Sequence, residues 1–395
     1  KAIRRQRQMC IRDRQSAPQN GKRPVLLAAR NAHKALLYAA ALLDFDIRWL
    51  WPSAQAEGAL CSCPVTAEAL TGALHALAQQ GIEPFGVYVT SPDYLGGVQD
   101  IPALAAVCRA QGVPLLVDNA HGAYLRFLPQ NCHPIAQGAA MCCDSAHKTL
   151  PVVTGGAYLH LAHDAPVQDE AAVRGALALF GSTSPSYLVL QSLDACNAVL
   201  AGDYPRRLAQ CCAALEGLRR SLNKAAAARQ CPLPLAVAGA QQEPMKLTLD
   251  AAALGCTGTA LAESLRRAQM ECEYADPRYV VLMFTPENPP QDYTRLQTAL
   301  EQLLAAVPAG LPRPENRAGE FAALQQQAVQ RCTIRQAVLG AQVRVPVHKA
   351  LGRVCAMPTV SCPPAIPVAV SGEEITPAAI ALMQRYGIEE LSVLR

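Results

Sequence analysis

Charge is scarce in this 395-residue chain: Asp, Glu, Lys and Arg make up 17% of it, and aromatic residues 5%, with two tryptophans. So low a charged fraction, beside 51% hydrophobic residues, excludes a disordered polypeptide and implies well-buried cores. Long apolar runs are missing too. No stretch reaches the roughly 18 residues that a membrane span needs, and no secretory signal is evident. Zinc-type cysteine spacing is absent, although there are sixteen cysteines. They are scattered, with adjacent pairs at Cys142-Cys143 and Cys211-Cys212. They read as reduced, mostly buried thiols of a cytoplasmic protein, not as the disulfide framework of a small secreted one. No metal, membrane or nucleic-acid partner is expected.

Acidic residues are nearly absent from the first 23 positions. Lys1, Arg4, Arg5, Arg7, Arg12, Arg14, Lys22 and Arg23 face only Asp13 there, a local charge of +7, so a chain of +4 carries −3 elsewhere. The stretch "RQRQMCIRDRQ" has no apolar periodicity, and the chain starts without Met. Residues 1–23 read as an atypical basic leader, non-native or disordered and fused to an incomplete gene, in preference to a nucleic-acid-binding arm or a targeting peptide.

From about residue 24 the pattern alternates. Short apolar runs at Ile47–Leu50, Phe85–Thr90, Val113–Val117, Ala139–Cys143 and Ala157–Leu161 predict strands. Helical patterns lie between several of them, at Thr66–Gln79 (with Leu70, Leu74 and Leu77 on one face) and at Ile101–Gln111. Such alternation predicts an α/β fold around a mostly parallel sheet covered on both faces. Ligands then bind beyond the carboxyl ends of the strands, where Asp118 and Thr90-Ser91-Pro92 fall. Long helices are predicted over about 185–228. A smaller α/β unit follows, with strands at 244–249 and 279–284 and helices at 257–269 and 292–307. After the break "PAGLPRPENRAG", a last segment holds one helix, the turn-and-strand unit "SCPPAIPVAVSGEE" and a final helix-strand.

Two stretches carry chemistry. In "VDNAHGAYLRFL" (117–128) a hydrophobic strand runs straight into Asp118, and His121 follows. In "CCDSAHKTLPVVTGGAYLHL" (142–161) a strand ends in Asp144, then Ser145, His147 and Lys148 follow. A lysine at the end of a buried strand is desolvated, which favours the neutral amine and makes it a Schiff-base nucleophile. An acid and a lysine at neighbouring strand ends suit pyridoxal phosphate (PLP), which needs a lysine to bond its carbonyl and a carboxylate to keep its ring nitrogen protonated. Lys148 and Asp118 are predicted to fill those roles, with Ser145 and His147 contacting phosphate or holding the lysine. His160 alternates along a strand and is expected to pack rather than react.

These segments resemble the bacterial ornithine/lysine/arginine decarboxylases, whose fold is that of aspartate aminotransferase, with a mostly parallel large-domain sheet of the seven-stranded type. The resemblance runs from about Arg30 to the C-terminus, through "ARNAHKALLYAA" (29–40), "VTSPDYLGGVQDI" (89–101), "VDNAHG", "DSAHKTLPVVTGGAYLH", "FGSTSPSYLVLQSLDAC" (180–196) and "SCPPAIPVAVSGEE". It implies decarboxylation of a basic amino acid (lysine, arginine or ornithine) to the corresponding amine and CO2. It also implies PLP bonded to Lys148, a histidine stacked on the ring at His33, and His121 and Asp118 in the matching positions. Thr183 and Ser184 would reach the phosphate of a neighbouring subunit in a homodimer, His147 or Lys148 would return a proton to Cα, and Tyr94 and Glu273 would meet substrate, Glu273 at its distal cation. Glu271 and Asp276 are nearby acids. The implied organisation is a PLP-binding large domain over 24–205, a small α/β domain over 206–312 and a C-terminal decarboxylase-family domain over 313–395. Two departures stand out. Asn119 replaces the family's usual Glu. The family's Gly-Ser-Thr-rich phosphate-binding turn is expected upstream of Arg30, where "SAPQNGK" does not resemble it, so weak PLP binding and a truncated, silent dimerising chain are an alternative expectation. An aminotransferase or another C–C lyase on the same fold is the other.

Overall fold

The computed structural model describes residues 23–52, 61–181, 184, 186–239, 241–308, 310–312, 318–358 and 367–395. Residues 1–22, "SAPQNGK" within them, Thr183 and the 361–366 part of the Cys-Pro-Pro unit lie outside the described residues.

Among the described residues six strands, one fewer than the seven-stranded type, build the main sheet: β1 (Val25–Ala29), β2 (Asp46–Leu50), β3 (Pro84–Thr90), β4 (Leu115–Asp118), β5 (Met141–Asp144) and β6 (Tyr158–Leu161), in the order β2-β1-β3-β4-β5-β6. Every neighbouring pair is parallel except β5–β6, which is antiparallel. The inner strands read as continuous apolar runs because both of their faces are covered. Period-2 alternation divides their side chains between two cores. Leu26, Ala28, Tyr88, Leu116, Met141 and Cys143 pack toward helix α1 (Lys34–Leu43). Leu27, Ala29, Val87, Val89, Leu115, Val117 and Cys142 pack on the other face with helices α2 (Ala67–Gln79) and α3 (Ile101–Ala110). Thr66 and Asp100 cap α2 and α3 by accepting the amides of Ala69 and Ala103. The loop after β4 needs Gly122, since a Cβ there would collide with Asn119 Oδ1 and lie 2.7 Å from Leu125 Cδ1.

The short helix α4 (Ala146–Thr149) follows β5 directly. Beyond β6 come α5 (Glu170–Phe180), α6 (Tyr187–Ala201) and the 25-residue α7 (Tyr204–Ala228), whose Leu208, Leu215 and Leu222 are fully buried. They share one apolar cluster with an antiparallel three-stranded sheet of order β7-β9-β8, where β7 is Lys246–Asp250, β8 Tyr274–Ala275 and β9 Tyr279–Met283. Helices α8 (Gly258–Arg267) and α9 (Pro290–Ala306) complete that unit. The last segment forms α10 (Ala318–Gln327), α11 (Ile334–Leu339), β10 (Gln342–Pro346), α12 (Pro377–Arg385) and β11 (Glu390–Leu394), with β10 and β11 antiparallel around a separate apolar cluster. The Arg30 guanidinium ties this segment to the end of β1. It makes two 2.7 Å bonds to the buried Glu373 carboxylate and stacks 5.0 Å from Trp49 and 4.4 Å from Trp51. Among the described residues no helix is long and apolar enough to cross a membrane.

Candidate active site

Asp118 is the last residue of β4 and Asp144 the last of β5, so the segments following both begin at the carboxyl edge of the sheet. One turn beyond β5, Lys148 brings Nζ to 3.1 Å from His121 Nε2. The two histidine-bearing stretches therefore meet in space, 27 residues apart in sequence. Asp118 is 2% exposed. Its Oδ2 accepts from the Tyr88 hydroxyl at 3.0 Å and its Oδ1 from the Ala120 amide at 3.2 Å. Burial raises the Asp118 pKa above the ordinary carboxylate value, and Lys148 foremost, then Tyr88 and Ala120, oppose that rise. Lys148 is displaced the other way: burial lowers it, while Asp118 and then Glu273 hold it up. Each charge moderates the cost of burying the other.

Three histidines surround this pair. His33 caps α1, its Nδ1 accepting the Ala35 amide at 3.2 Å. Burial first, then Lys148 and Lys34, lower its pKa to about 4, so the ring is neutral at pH 7. His121 is pushed well below its usual value by burial, then by Lys246 and Lys148. His147 Nδ1 donates to the Gly156 carbonyl at 2.7 Å, leaving Nε2 as the nitrogen with a free lone pair in the neutral ring. Its pKa is lowered, chiefly by burial and against the Gly156 bond. Ser145 is buried at the N-cap of α4.

The small sheet supplies the far side. The Tyr94 ring lies edge-on to His121 at 5.2 Å and to Tyr274 at 5.3 Å, and its hydroxyl donates to Glu273 Oε1 at 3.0 Å. Of the three acids in that stretch, Glu273 alone bonds the Tyr94 hydroxyl. Glu271 pairs with Arg266 at the surface, and Asp276 accepts from the Tyr274 hydroxyl and the Arg278 and Tyr279 amides, as the cap of a tight turn. Lys246, at the start of β7, joins the site without any signal in its local sequence beyond its place in an apolar run. Its ammonium is buried, donates to the Asp93 carbonyl at 2.8 Å and stands 5.7 Å from the Tyr94 ring centroid. Burial lowers its pKa against Glu243 and Asp93. A lysine in a buried strand was a signal, but only the fold brings it to Tyr94 across 152 residues of sequence. Ser184 is exposed, and neither it nor Thr183, outside the described residues, is placed here.

A PLP-sized anionic, aromatic coenzyme suits this group on one further observation. Asn31 Oδ1, Thr90 Oγ1 and His121 Nδ1 are buried and make no hydrogen bond among the described residues. They stand at or just beyond the carboxyl ends of β1, β3 and β4, adjacent strands of one sheet. Buried polar atoms without partners are costly unless a polar ligand meets them.

Solved structures share this fold. Lysine decarboxylase A from Pseudomonas aeruginosa superposes with a TM-score of 0.73 at 15% identity, covering 100% of this chain and 68% of that one. The architecture is that of the PLP fold-type-I decarboxylases and related enzymes. Among sequences, "Uncharacterized protein YaaO" of Bacillus subtilis (strain 168) is 27% identical over 91% of this chain and 73% of its own length. An arginine decarboxylase of the same organism is 26% identical over 89% of this chain and 70% of its own. The model "Orn/Lys/Arg decarboxylase, major domain" matches residues 17–242, and the chain belongs to that family.

Proposed function

We propose that the chain is a PLP-dependent decarboxylase that converts a basic amino acid to its amine and CO2, with Lys148 bonding the coenzyme's carbonyl. The observation that carries this reading is the half-buried Lys148 amine, 3.1 Å from His121 and electrostatically coupled to the buried Asp118 at the end of the adjacent strand. Bound PLP supplies an electron sink for the pair left on Cα when CO2 departs. The side chains do the rest. Asp118, held at two oxygens by Tyr88 and Ala120, would keep the proton on the ring nitrogen. His33 and His121, both neutral, would hold the ring. Burial lowers the Lys148 pKa and so favours its neutral amine, and His121 Nε2 accepts one of its N–H bonds. His147, aligned by Gly156, gives or takes the Cα proton through Nε2, with Lys148 as the other donor. Glu273, oriented by Tyr94, receives the distal ammonium or guanidinium of the substrate. Ser145 would contact the phosphate, and Thr183 and Ser184 would serve a second copy in a homodimer; Leu179, Tyr187 and Leu188 are exposed.

The test is CO2 release from lysine, arginine and ornithine by the purified chain with PLP, read beside coenzyme absorbance. Release of CO2 from one of the three supports the reading. A keto acid instead points to transamination, and a chain that takes up no PLP and releases nothing points to the silent alternative.

A further inference from the structure

On the opposite face of β5 a second group of side chains converges, and the proposed decarboxylation uses none of it. Asp118 and Cys143 face the α1 side of the sheet, Cys143 Sγ lying 3.7 Å from Asp118 Oδ1. Cys142 and Asp144, one residue out of phase, face the other way. His160 is the register partner of Cys142 on β6, so it joins them on that face. His133 reaches over from the loop before β5. Its Nε2 lies 3.1 Å from Asp144 Oδ2, and His160 Nε2 lies 2.9 Å from the same oxygen. Cys142 Sγ lies 3.6 Å from His133 Nε2 and 3.8 Å from Asp144 Oδ1.

His133 is measured to Asp144 Oδ2 and Cys142 to Oδ1, and the three spacings of 3.1–3.8 Å bracket those of a coordination shell. One ligand atom from each of His133, Cys142 and Asp144 lies within 4.8 Å of the other two, and all three residues are buried. Bonds of about 2.3 Å to sulfur and about 2.0–2.1 Å to nitrogen and oxygen in tetrahedral array set ligand atoms roughly 3.3–3.6 Å apart. Charge balance agrees. Among the described residues no lysine or arginine pairs with Asp144; its ion-pair partners are the two histidines. A thiolate beside that carboxylate would be a buried double anion, which one divalent cation neutralises. A cavity of about 580 Å³, lined in part by His133, Asp144 and His160, gives an ion a path in and leaves a fourth position open.

We propose that His133 Nε2, Cys142 Sγ and an Asp144 carboxylate oxygen bind a zinc-class divalent metal ion, with His160 hydrogen-bonded to the Asp144 carboxylate and orienting it. Loading expels the Cys142 thiol proton. The His133 ring proton moves to Nδ1, which gives up its long 3.4 Å contact with the Ile135 amide. The expectation that the sequence holds no metal site is thereby revised. Its ligands come from a loop and a strand at irregular spacing, outside any Cys-x-x-Cys pattern.

The experiment strips the full-length protein with a chelator, desalts it and titrates it with Zn2+ or Co2+. Binding of one ion per chain is expected, with a tetrahedral Co2+ spectrum and a thiolate charge-transfer band that Zn2+ abolishes. Cys142→Ser and His133→Ala weaken affinity at least tenfold and remove that band. His160 sits on the open side, so His160→Ala is readable if the buried variants fail to fold, and it weakens affinity at least threefold. Substoichiometric binding, an octahedral Co2+ spectrum, or affinity unchanged in Cys142→Ser or in His160→Ala overturns the proposal.

Discussion

On the proposed function Lys148 acts as a neutral amine. Its pKa is lowered because a buried ammonium loses its water, and Asp118 returns only part of that loss. The rate at which PLP-free protein captures coenzyme therefore rises with pH below the Lys148 pKa, and the rise follows the neutral fraction. Stopped-flow absorbance across pH 6–9 measures it; a flat profile contradicts the assignment. His147→Ala, with the Nε2 proton carrier gone, is expected to lower kcat by about 10²–10⁴-fold while coenzyme absorbance stays. His33 makes a separate prediction about stability. Folded, it takes up a proton only near pH 4; unfolded, near its ordinary 6.5. Between those values the unfolded chain binds more protons, so stability falls as pH drops through that window. His33→Asn keeps a capping side chain and is expected to flatten that part of the profile, measured by urea unfolding at several pH values.

Elements were legible where an apolar run stands between polar or turn-forming residues, whatever its burial. The buried β4 and β5 and the half-exposed edge strand β6 were all readable to within two residues. The first strand, "VLLAA", sits beside the basic leader and was not singled out. The exposed β10, "QVRVP", has no apolar run, because it is held chiefly by its pairing with β11. The site was legible where its residues follow a strand end closely, as Asp118 does on β4 and Ser145, His147 and Lys148 do after β5. Lys246 and the role of Asp276 were not, since a residue's partners across 150 positions follow from packing rather than from local pattern. Helix α7 tests the packing itself. Leu215 is fully buried between α7 and the small sheet. Leu215→Ala is expected to cost about 2–5 kcal/mol in denaturant unfolding, with the spread set by how far the cavity collapses.

For the molecule as a whole, two joints stand out. One is the Arg30–Glu373 pair, closed between Trp49 and Trp51, which fastens the last segment to the strand that opens the main sheet. Glu373→Gln strands a buried guanidinium and is expected to destabilise by about 3–5 kcal/mol, whereas replacing both partners by apolar residues recovers most of it. The other joint is Tyr94 against Glu273, where the small sheet meets the carboxyl edge of the large one. A coenzyme at Lys148 and a substrate cation at Glu273 would draw on both units at once. The most direct measurement is radiolabelled CO2 release from carboxyl-labelled lysine, arginine and ornithine by wild-type and Lys148→Ala protein with saturating PLP. Release by the wild type, with loss of both turnover and lysine-bound coenzyme absorbance in the variant, is the expected result. Undiminished CO2 release by Lys148→Ala would contradict it.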